Sequence, residues 1–143
     1  MEQVHATCVE IGGTGVLLRG PPGSGKSDLA LRLIDGGAGL VADDRADLDL
    51  EGGRVVVTAP PEIAGLFEVR GQGVRRLARV ERAVLGLVVD LVPPERVERL
   101  PEAAHCEVLG VTLPLVRLAP FEASAAAKVR LAAGDAPPVP RTP

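Results

Sequence analysis

The residues with the clearest chemistry form a glycine-rich segment near the start of the sequence. They are Gly20, Pro21, Pro22, Gly23, Ser24, Gly25, Lys26 and Ser27, and they fit the pattern G-x-x-x-x-G-K-[ST] at every defined position. Glycines in this pattern let successive backbone N–H groups turn toward the phosphates of a nucleotide. Lys26 neutralises phosphate charge and the Ser27 hydroxyl reaches Mg²⁺. The segment therefore predicts binding of ATP with Mg²⁺; the alternative is a glycine-rich turn that caps a helix.

Phosphoryl transfer also needs a carboxylate near the γ-phosphate, and three places in the sequence offer one. Asp43 and Asp44 follow a short apolar strand that comes one helix after the phosphate loop, a connection that predicts a parallel strand beside the first. Two adjacent carboxylates repel, which raises one pKa and suits that group to accept a proton. Asp90 ends another apolar run, as in a Walker B strand, and Glu68 lies in a predicted glycine-flanked loop. The alternatives are a solvated turn for Asp43 and Asp44 and surface charge for Glu68. For Asp90 the alternative is an ordinary strand end, since an apolar run that ends in Asp is common in α/β sheets.

These residues need a strand and a helix to position them, and the sequence around the loop predicts both. Before Gly12-Gly13, apolar and polar side chains alternate loosely over residues 4–11, and after it residues 15–18 form an apolar run. This pattern predicts a β-hairpin. Apolar residues recur at helical spacing after Lys26, and Gly36-Gly37 is a typical helix C-terminus. The order strand, loop and helix is the one that a phosphate-binding loop requires.

The rest of the sequence predicts a mixed α/β domain over 1–133. Its elements are expected to be a β-hairpin at 48–57, a short helical turn at 60–67, a glycine-punctuated loop at 68–74, a central strand at 83–92, a short helix at 93–100, a strand at 113–118 and an alanine-rich helix at 121–133. Pro114 predicts that the strand at 113–118 is an edge strand. Residues 134–143, with four prolines and few apolar side chains, predict a disordered tail.

Composition narrows the class of protein. The chain has 143 residues, enough for one domain, and 46% of them are hydrophobic. Its net charge of −3 and its lack of Trp and Tyr argue against a nucleic-acid-binding protein. No run approaches the roughly 20 apolar residues of a membrane span, and the N-terminus lacks a signal pattern. A cytoplasmic protein that binds neither nucleic acid nor membrane is expected.

Four motifs, in this order, resemble the catalytic domain of HPr kinase/phosphorylase. They are His5, the strand and loop at 15–27, the segment Leu40–Asp44, and Glu68–Val74, which matches E-[IV]-R-G-x-G-[IV]. The resemblance covers roughly residues 4–120 and implies a P-loop kinase fold with a mixed sheet, similar to the nucleotide-binding core of phosphoenolpyruvate carboxykinase. It is closest to a short form without the N-terminal regulatory domain of longer members.

The resemblance also implies roles for individual residues. Asp43 takes the proton from the substrate serine in the kinase direction and activates phosphate or water in the reverse direction. His5 hydrogen-bonds that carboxylate. Ser27 and Glu68 hold Mg²⁺, with Asp44 alongside. Arg99 stabilises the transferring phosphoryl group. An ordinary strand histidine and a solvated helix arginine are the alternatives for His5 and Arg99.

Two further features bear on the substrate. Arginines cluster between residues 70 and 82, and four of them could share one helical face: Arg75, Arg76, Arg79 and Arg82. This cluster is either a docking surface for an acidic or phosphorylated partner or a solvated face. The family segment P-V-R-P-G-R-N is absent, because residues 118–124 read Leu-Ala-Pro-Phe-Glu-Ala-Ser at that place. The phosphorylase activity and the choice of protein substrate therefore stay open.

Together these features predict an ATP-dependent serine kinase, with possible phosphorylase activity, that acts on an HPr-like phosphocarrier protein of the bacterial phosphotransferase system. A homo-oligomer is expected, since longer members form hexamers. The alternatives are an ATP-binding regulatory module without transfer activity and a small-molecule kinase.

Overall fold

Eleven strands and two helices run along residues 1–136, the part of the chain that the computed structural model describes. In chain order they are β1 (Glu2–Val4), β2 (Ala6–Ile11), β3 (Thr14–Arg19), α1 (Lys26–Asp35), β4 (Gly39–Ala42), β5 (Ala46–Glu51), β6 (Arg54–Thr58), β7 (Leu66–Val69), β8 (Gly73–Arg76), β9 (Ala83–Leu91), β10 (Ala104–Val108), β11 (Val111–Leu118) and α2 (Ala125–Asp135). The fold is therefore mixed α/β, as predicted.

Strand β9 is the centre of a nine-stranded mixed sheet. Along one edge it pairs in parallel with β3, and β2 and then β4 continue the sheet on that side in antiparallel pairing. Along its other edge, β9 pairs with β6 through its first residues and with β11 through its last. The remaining strands extend these two branches: β5 and β1 follow β6, and β10 follows β11. Because β9 is buried between neighbours, its sequence is apolar almost throughout.

The two faces of the sheet carry two hydrophobic clusters. One face packs against α1 and α2, where Leu29, Leu33 and Val129 are fully buried against strand residues such as Val89. The other cluster joins the opposite face of the central strands to β5, β6 and the β10–β11 hairpin, with Leu17 near its middle. Each fully buried Leu or Val contributes about 1.5–3 kcal/mol relative to an exposed one. Both hydrophobic layers thus pack against the strand that leads into the phosphate loop.

Helix α1 begins and ends as its sequence predicts. It starts at Lys26 directly after the loop, and its C-terminus is closed by two glycines. The N–H of Gly37 donates to the Ile34 carbonyl at 2.9 Å and the N–H of Ala38 donates to the Leu33 carbonyl at 3.0 Å. Gly37 has φ 111°, which a residue with a Cβ rarely adopts. This Schellman closure turns the chain back into β4.

Strand pairing differs from the prediction at two places. Strand β4 does not lie beside β3, because β2 is inserted between them. Strand β11 is not an edge strand, since β10 covers one of its sides and β9 the other. Pro114 is tolerated because parallel pairing with β9 begins only at Leu115, so the missing N–H falls outside that ladder.

Several local elements also differ from the prediction. Residues 68–74 are not a loop: they belong to a hairpin in which β7 pairs with β8 around Arg70–Gln72. The arginines at 75–82 share no helical face, because Arg75 and Arg76 lie in β8 and an irregular segment follows. The turn at 60–67 contains a 3₁₀ helix only at Pro61–Ile63. The helix expected at 93–100 is a 3₁₀ turn at Pro94–Arg96.

The C-terminal helix is shifted relative to its prediction. It begins at Ala125 rather than at residue 121 and continues to Asp135, so the first residues of the predicted tail are helical. The rest of that predicted disorder, over residues 137–143, lies outside the described residues. Neither α1 nor α2 has the length and apolar character needed to cross a bilayer, within residues 1–136.

Candidate active site

The phosphate loop connects the C-terminal end of β3 to the N-terminus of α1. Gly23 and Gly25 have φ values of 79° and 100°, where a side chain would strain the backbone. The loop contains a turn in which the Ser24 N–H donates to the Pro21 carbonyl at 3.0 Å. The Leu29 N–H donates to Gly25 at 2.9 Å and opens the helix. The unpaired N–H groups and positive dipole of this helix end form a site suited to phosphate.

The side chain of Lys26 folds back over the loop that precedes it. Its ammonium donates to the carbonyl oxygen of Gly20 at 2.6 Å and to that of Pro21 at 3.2 Å, and the residue is only 7% exposed. These carbonyls hold the charge at the loop, and no carboxylate within residues 1–136 forms an ion pair with it. The ammonium is therefore positioned where it can exchange them for phosphate oxygens.

Asp43 is joined to the loop by a network of hydroxyl groups. Its Oδ1 accepts a hydrogen bond from Ser27 Oγ at 2.8 Å and another from Thr7 Oγ1 at 3.2 Å. The backbone N–H of Glu68 also donates to this carboxyl group. Three separate parts of the chain thus converge on one carboxylate at the first turn of α1.

Burial raises the pKa of the Asp43 carboxyl group above its ordinary value. The hydrogen bonds from Ser27, Thr7 and the Glu68 backbone act in the opposite direction, and the charge of Asp44 adds a smaller upward effect. A carboxylate with a raised pKa is a stronger base. The repulsion between adjacent acids that the sequence predicts is present, but desolvation is the larger cause.

A β-bulge aims Asp43 at the loop. Cys8 of β2 pairs with Ala42 of β4, whereas Val9 pairs with Leu40, so Val41 is an extra residue in β4. Consequently Val41 and Ala42 both pack into the cluster on the sheet face opposite α1, although they are neighbours in sequence. The next residue, Asp43, then points to the face that carries α1. Bulges often re-aim a side chain beside an active site.

Asp44 follows in a strained γ-turn. Its φ is 67°, and the Arg45 N–H donates across it to the Asp43 carbonyl at 2.8 Å. The Asp44 N–H donates to Thr7 Oγ1 at 3.1 Å, so the Thr7 hydroxyl contacts both members of the acidic pair. Asp44 itself is exposed. Strain of this kind persists where the surroundings enforce it, often at functional sites.

A cavity of about 420 Å³ lies in front of the loop. Its lining residues are Pro22, Gly23, Gly25, Lys26, Ser27, Asp28, Leu31, Asp43, Asp44, Phe67, Glu68, Val69, Arg70 and Phe121. The structure therefore brings together the loop, the acidic pair and Glu68, as the sequence predicts.

The oxygen donors of this cavity suit a magnesium–nucleotide complex. Ser27, Asp43, Asp44 and Glu68 all line it, and Mg²⁺ prefers such ligands. Within residues 1–136, no group of three or more His, Cys, Asp and Glu side chains is close enough to hold a metal ion by itself. Mg²⁺ is usually bound by one or two protein ligands with phosphate oxygens and water, so the donor set fits an ion that arrives with a nucleotide.

Two residues that the sequence predicts at the site are not brought to it. His5 is exposed at the break between β1 and β2 and makes no hydrogen bond to Asp43; Thr7, two residues further on, takes that position. Arg99 is exposed beyond β9 and is not among the cavity-lining residues. Asp90, the alternative acid, lies outside the cavity in a two-pronged pair with Arg19, at 2.7 Å and 3.1 Å.

The sequence predicts neither Thr7 nor Phe121 at the site, and it predicts a role for Arg70 only as part of the arginine cluster at 70–82. Thr7 is a fully buried hydroxyl between the buried residues Ala6 and Cys8, which is a usable signal because buried polar groups need a partner. Arg70 lines the cavity from the β7–β8 turn, next to Glu68. Phe121 lines it from the segment before α2, and no local pattern indicates this because it depends on packing across the fold.

Comparisons with known proteins show the family of the chain. A model of the family described as "HPr Serine kinase C-terminal domain" matches residues 1–129. The chain belongs to this family. Proteins from Burkholderia lata and Burkholderia cenocepacia, each named HPr kinase/phosphorylase, are 40% identical to it over 130 residues. These alignments cover 80% of the chain and 39% of each relative, so the chain spans about two-fifths of their length.

A solved structure shows the same fold. The Hpr(Ser) kinase/phosphatase from Coxiella burnetii superposes with a TM-score of 0.82 at 27% sequence identity, over 92% of this chain and 93% of that one. The mixed sheet and the placement of the helices are therefore those of a known HPr kinase domain. The phosphate loop and the acidic pair lie within the residues that the family model matches.

Proposed function

We propose that this HPr kinase domain transfers the γ-phosphoryl group of ATP to a serine hydroxyl of an HPr-like phosphocarrier protein of the bacterial phosphotransferase system. The observation that carries the proposal is the 2.8 Å hydrogen bond from Ser27 to Asp43. It places a buried carboxylate at the helix end where the terminal phosphates of a nucleotide bind. Family membership and the names of the relatives support the substrate class.

Nucleotide binding in this proposal uses the loop as the structure presents it. The N–H groups around Gly23 to Ser27 donate hydrogen bonds to oxygens of the β- and γ-phosphates at the positive end of α1. Lys26 Nζ leaves the carbonyls of Gly20 and Pro21 for phosphate oxygens. Arg70 lines the same cavity and can offset charge on the transferring group, which is the role that the family resemblance implies for Arg99.

Asp43 acts as the general base. The serine oxygen of the substrate forms a bond to the γ-phosphorus, the bond from that phosphorus to the β-phosphate oxygen breaks, and ADP leaves. The serine proton passes to the Asp43 carboxylate. Thr7 and Ser27 donate to one oxygen of that carboxylate and so fix its orientation. In the reverse direction the same group returns the proton.

The residues that would hold Mg²⁺ are Ser27 and Glu68, with Asp44 alongside. The Ser27 hydroxyl proton already points to Asp43, which leaves the oxygen lone pairs free to face an ion. When bound, the ion neutralises phosphate charge and orients the phosphates for in-line transfer.

Homo-oligomer formation and a cytoplasmic location also belong to this proposal.

One observation favours a second candidate function. Arg99, which the resemblance assigns to stabilising the transferring phosphoryl group, is exposed outside the cavity. A domain that binds ATP as a regulatory module without transferring phosphate would have no need of that cation. The two functions differ in whether Asp43 is required for phosphoryl transfer, since only the kinase needs a proton acceptor.

The test is phosphate transfer from γ-labelled ATP to the organism's HPr-like protein. Asp43→Asn keeps the side chain's size but cannot accept a proton, so we expect unchanged ATP affinity and a rate lower by about 10²–10⁴. Asp44→Asn is expected to shift the Mg²⁺ requirement instead. The matched control is Asp35→Asn, an exposed acid at the end of α1 and outside the cavity.

Two results would count against this assignment. Near wild-type transfer by Asp43→Asn would remove its role as base. Tight ATP binding by the wild-type chain with no transfer to HPr-like proteins, and with Asp43→Asn indistinguishable from it, would favour the regulatory module.

A further inference from the structure

An exposed phenylalanine stands at the edge of the cavity. The chain contains only two aromatic side chains of the Phe, Tyr and Trp types. Phe67 is 1% exposed, as expected of a core residue, whereas Phe121 is 71% exposed. Both line the cavity. A large apolar side chain left in solvent at the mouth of a polar phosphate site is a surface available to a ligand.

The Phe121 ring lies directly against the phosphate loop. A Cβ added to Gly25 would be 2.9 Å from Cζ and 3.1 Å from Cε1 of this ring. The ring therefore touches the backbone at the start of α1, immediately beside the phosphate-binding N–H groups. Leu31, further along α1, lines the same cavity. Together Phe121 and Leu31 form an apolar patch next to the position of the phosphates.

Arg32 holds the Phe121 backbone in place. Its guanidinium donates to the carbonyl of Pro120 and, at 3.2 Å, to that of Glu122, so it binds the residues on both sides of Phe121 to α1. Asp28 fixes the same guanidinium from one turn earlier, at 3.0 Å. The ring is therefore presented on an anchored segment, and a ligand that contacts it meets a preformed surface.

We infer that Phe121, with Leu31 beside it, is the surface on which the base of the bound nucleoside triphosphate stacks. This inference rests on the proposed function, because it concerns the ATP of that reaction. A base has an apolar face that stacks on aromatic rings, whereas phosphates have none. Stacking depends little on the identity of the base, so the patch selects nucleoside triphosphates over inorganic triphosphate and discriminates weakly between ATP and GTP.

The experiment compares two ligands that share their phosphates. Affinities of the full chain for Mg·ATP and for magnesium tripolyphosphate are measured by calorimetry in the wild type, in Phe121→Ala and in Leu131→Ala. Leu131 is the matched control, because it is equally exposed at 71% but does not line the cavity. We expect Phe121→Ala to weaken ATP binding by about 5- to 140-fold and to leave tripolyphosphate binding unchanged. Leu131→Ala should change neither affinity.

A spectroscopic readout separates contact with the base from an indirect effect. Because the chain has two Phe and no Tyr or Trp, its aromatic proton signals are few. Nuclear Overhauser effects from adenine H2 or H8 to one phenylalanine ring are expected in the wild type and should disappear in Phe121→Leu.

The outcomes distinguish this inference from the proposed function. If Phe121→Ala weakens both ligands equally, weakens neither, or if no adenine-to-ring effect is seen, Phe121 does not bind the base, although the phosphate loop still binds nucleotide. If the wild type binds neither ATP nor tripolyphosphate, the proposed function fails and the base-stacking role fails with it.

Discussion

Replacement of Thr7 by valine tests how the acidic pair is held. Thr7 is fully buried, and its hydroxyl donates to Asp43 and accepts from the Asp44 N–H. Valine keeps the β-branched shape that suits strand β2, so the substitution removes mainly these two hydrogen bonds. Its effect therefore measures the hydroxyl network rather than the packing.

The expected loss of stability follows from the charge of the partner. A hydrogen bond to a charged group contributes about 1.5–3 kcal/mol, whereas the N–H of the exposed Asp44 can turn to water at small cost. We therefore expect Thr7→Val to lower the free energy of unfolding by about 2–3 kcal/mol at neutral pH. For a chain of this size that corresponds to a fall in Tm of about 6–15 °C.

The pH dependence gives a second, independent readout. Burial raises the pKa of Asp43 in the folded protein, so the native state binds this proton more tightly than the unfolded state does. The Asp43 carboxyl group therefore contributes to the free energy of unfolding at low pH. This contribution is lost as the pH rises from the ordinary pKa of 3.8 through the raised pKa of the folded state. Removal of the Thr7 hydrogen bond raises that pKa further. The stability difference between Thr7→Val and the wild type should thus shrink in acid.

Thermal and urea unfolding at neutral and acidic pH measure both effects. Thr112→Val is the matched control, because Thr112 is exposed on β11 and the substitution is the same. The reasoning would be refuted if Thr7→Val were as stable as Thr112→Val at neutral pH, or if its deficit grew in acid.

Three other predictions concern the remaining charged groups. Lys26→Ala should weaken ATP binding by about 10- to 100-fold in calorimetry, since one charged hydrogen-bond donor to the phosphates is lost. Asp90→Asn should leave the transfer rate within about twofold and lower stability by about 0.5–1.5 kcal/mol, because its partly exposed pair with Arg19 is structural; a large rate loss would restore Asp90 as a candidate base. Arg75→Glu with Arg79→Glu should raise the KM for the protein substrate at low salt without changing ATP affinity, and unaltered steady-state constants would identify these arginines as a solvated face.

Features set by neighbouring residues were predictable from the sequence. The β2–β3 hairpin, the phosphate loop, the glycine closure of α1 and the β5–β6 hairpin each depend on turn residues that lie beside the strands or helix they end. Strand β9 was recognisable because it is buried on both faces and so reads as a continuous apolar run.

Features set by distant pairing were not predictable. Nothing near β4 indicates that β2 lies between it and β3, and nothing near Pro114 indicates that β9 pairs with β11. The pairing of β10 with β11 is local, since Val108 pairs with Val111 across a two-residue turn, but the sequence analysis predicts no strand at 104–108. The sequence of the β7–β8 hairpin predicts a loop because Gly71 and Gly73 interrupt it. All four residues of β8 are exposed, so its sequence also lacks the apolar alternation that marks a strand. The same exposure made its arginines compatible with a helix.

The candidate site divides along the same line. The loop, the acidic pair and Glu68 were predictable because they belong to recognisable sequence motifs. The structure brings them to one cavity. Thr7 acts on Asp43 across 36 positions of sequence, and only the sheet brings the two together. The roles of these residues stay predictions until the variants are measured.

The bulge at Val41 also bears on how the site responds to a slip in strand register. In the observed pairing, the extra residue lets Asp43 share a sheet face with Thr7. If β4 straightened without losing a residue, regular alternation would turn Asp43 to the opposite face and present Asp44 to α1 instead. A carboxylate would then face the phosphate loop in either register. With two consecutive acids, a one-residue change of strand register still leaves one carboxylate on the α1 face, whereas a single acid would turn to the opposite face of the sheet.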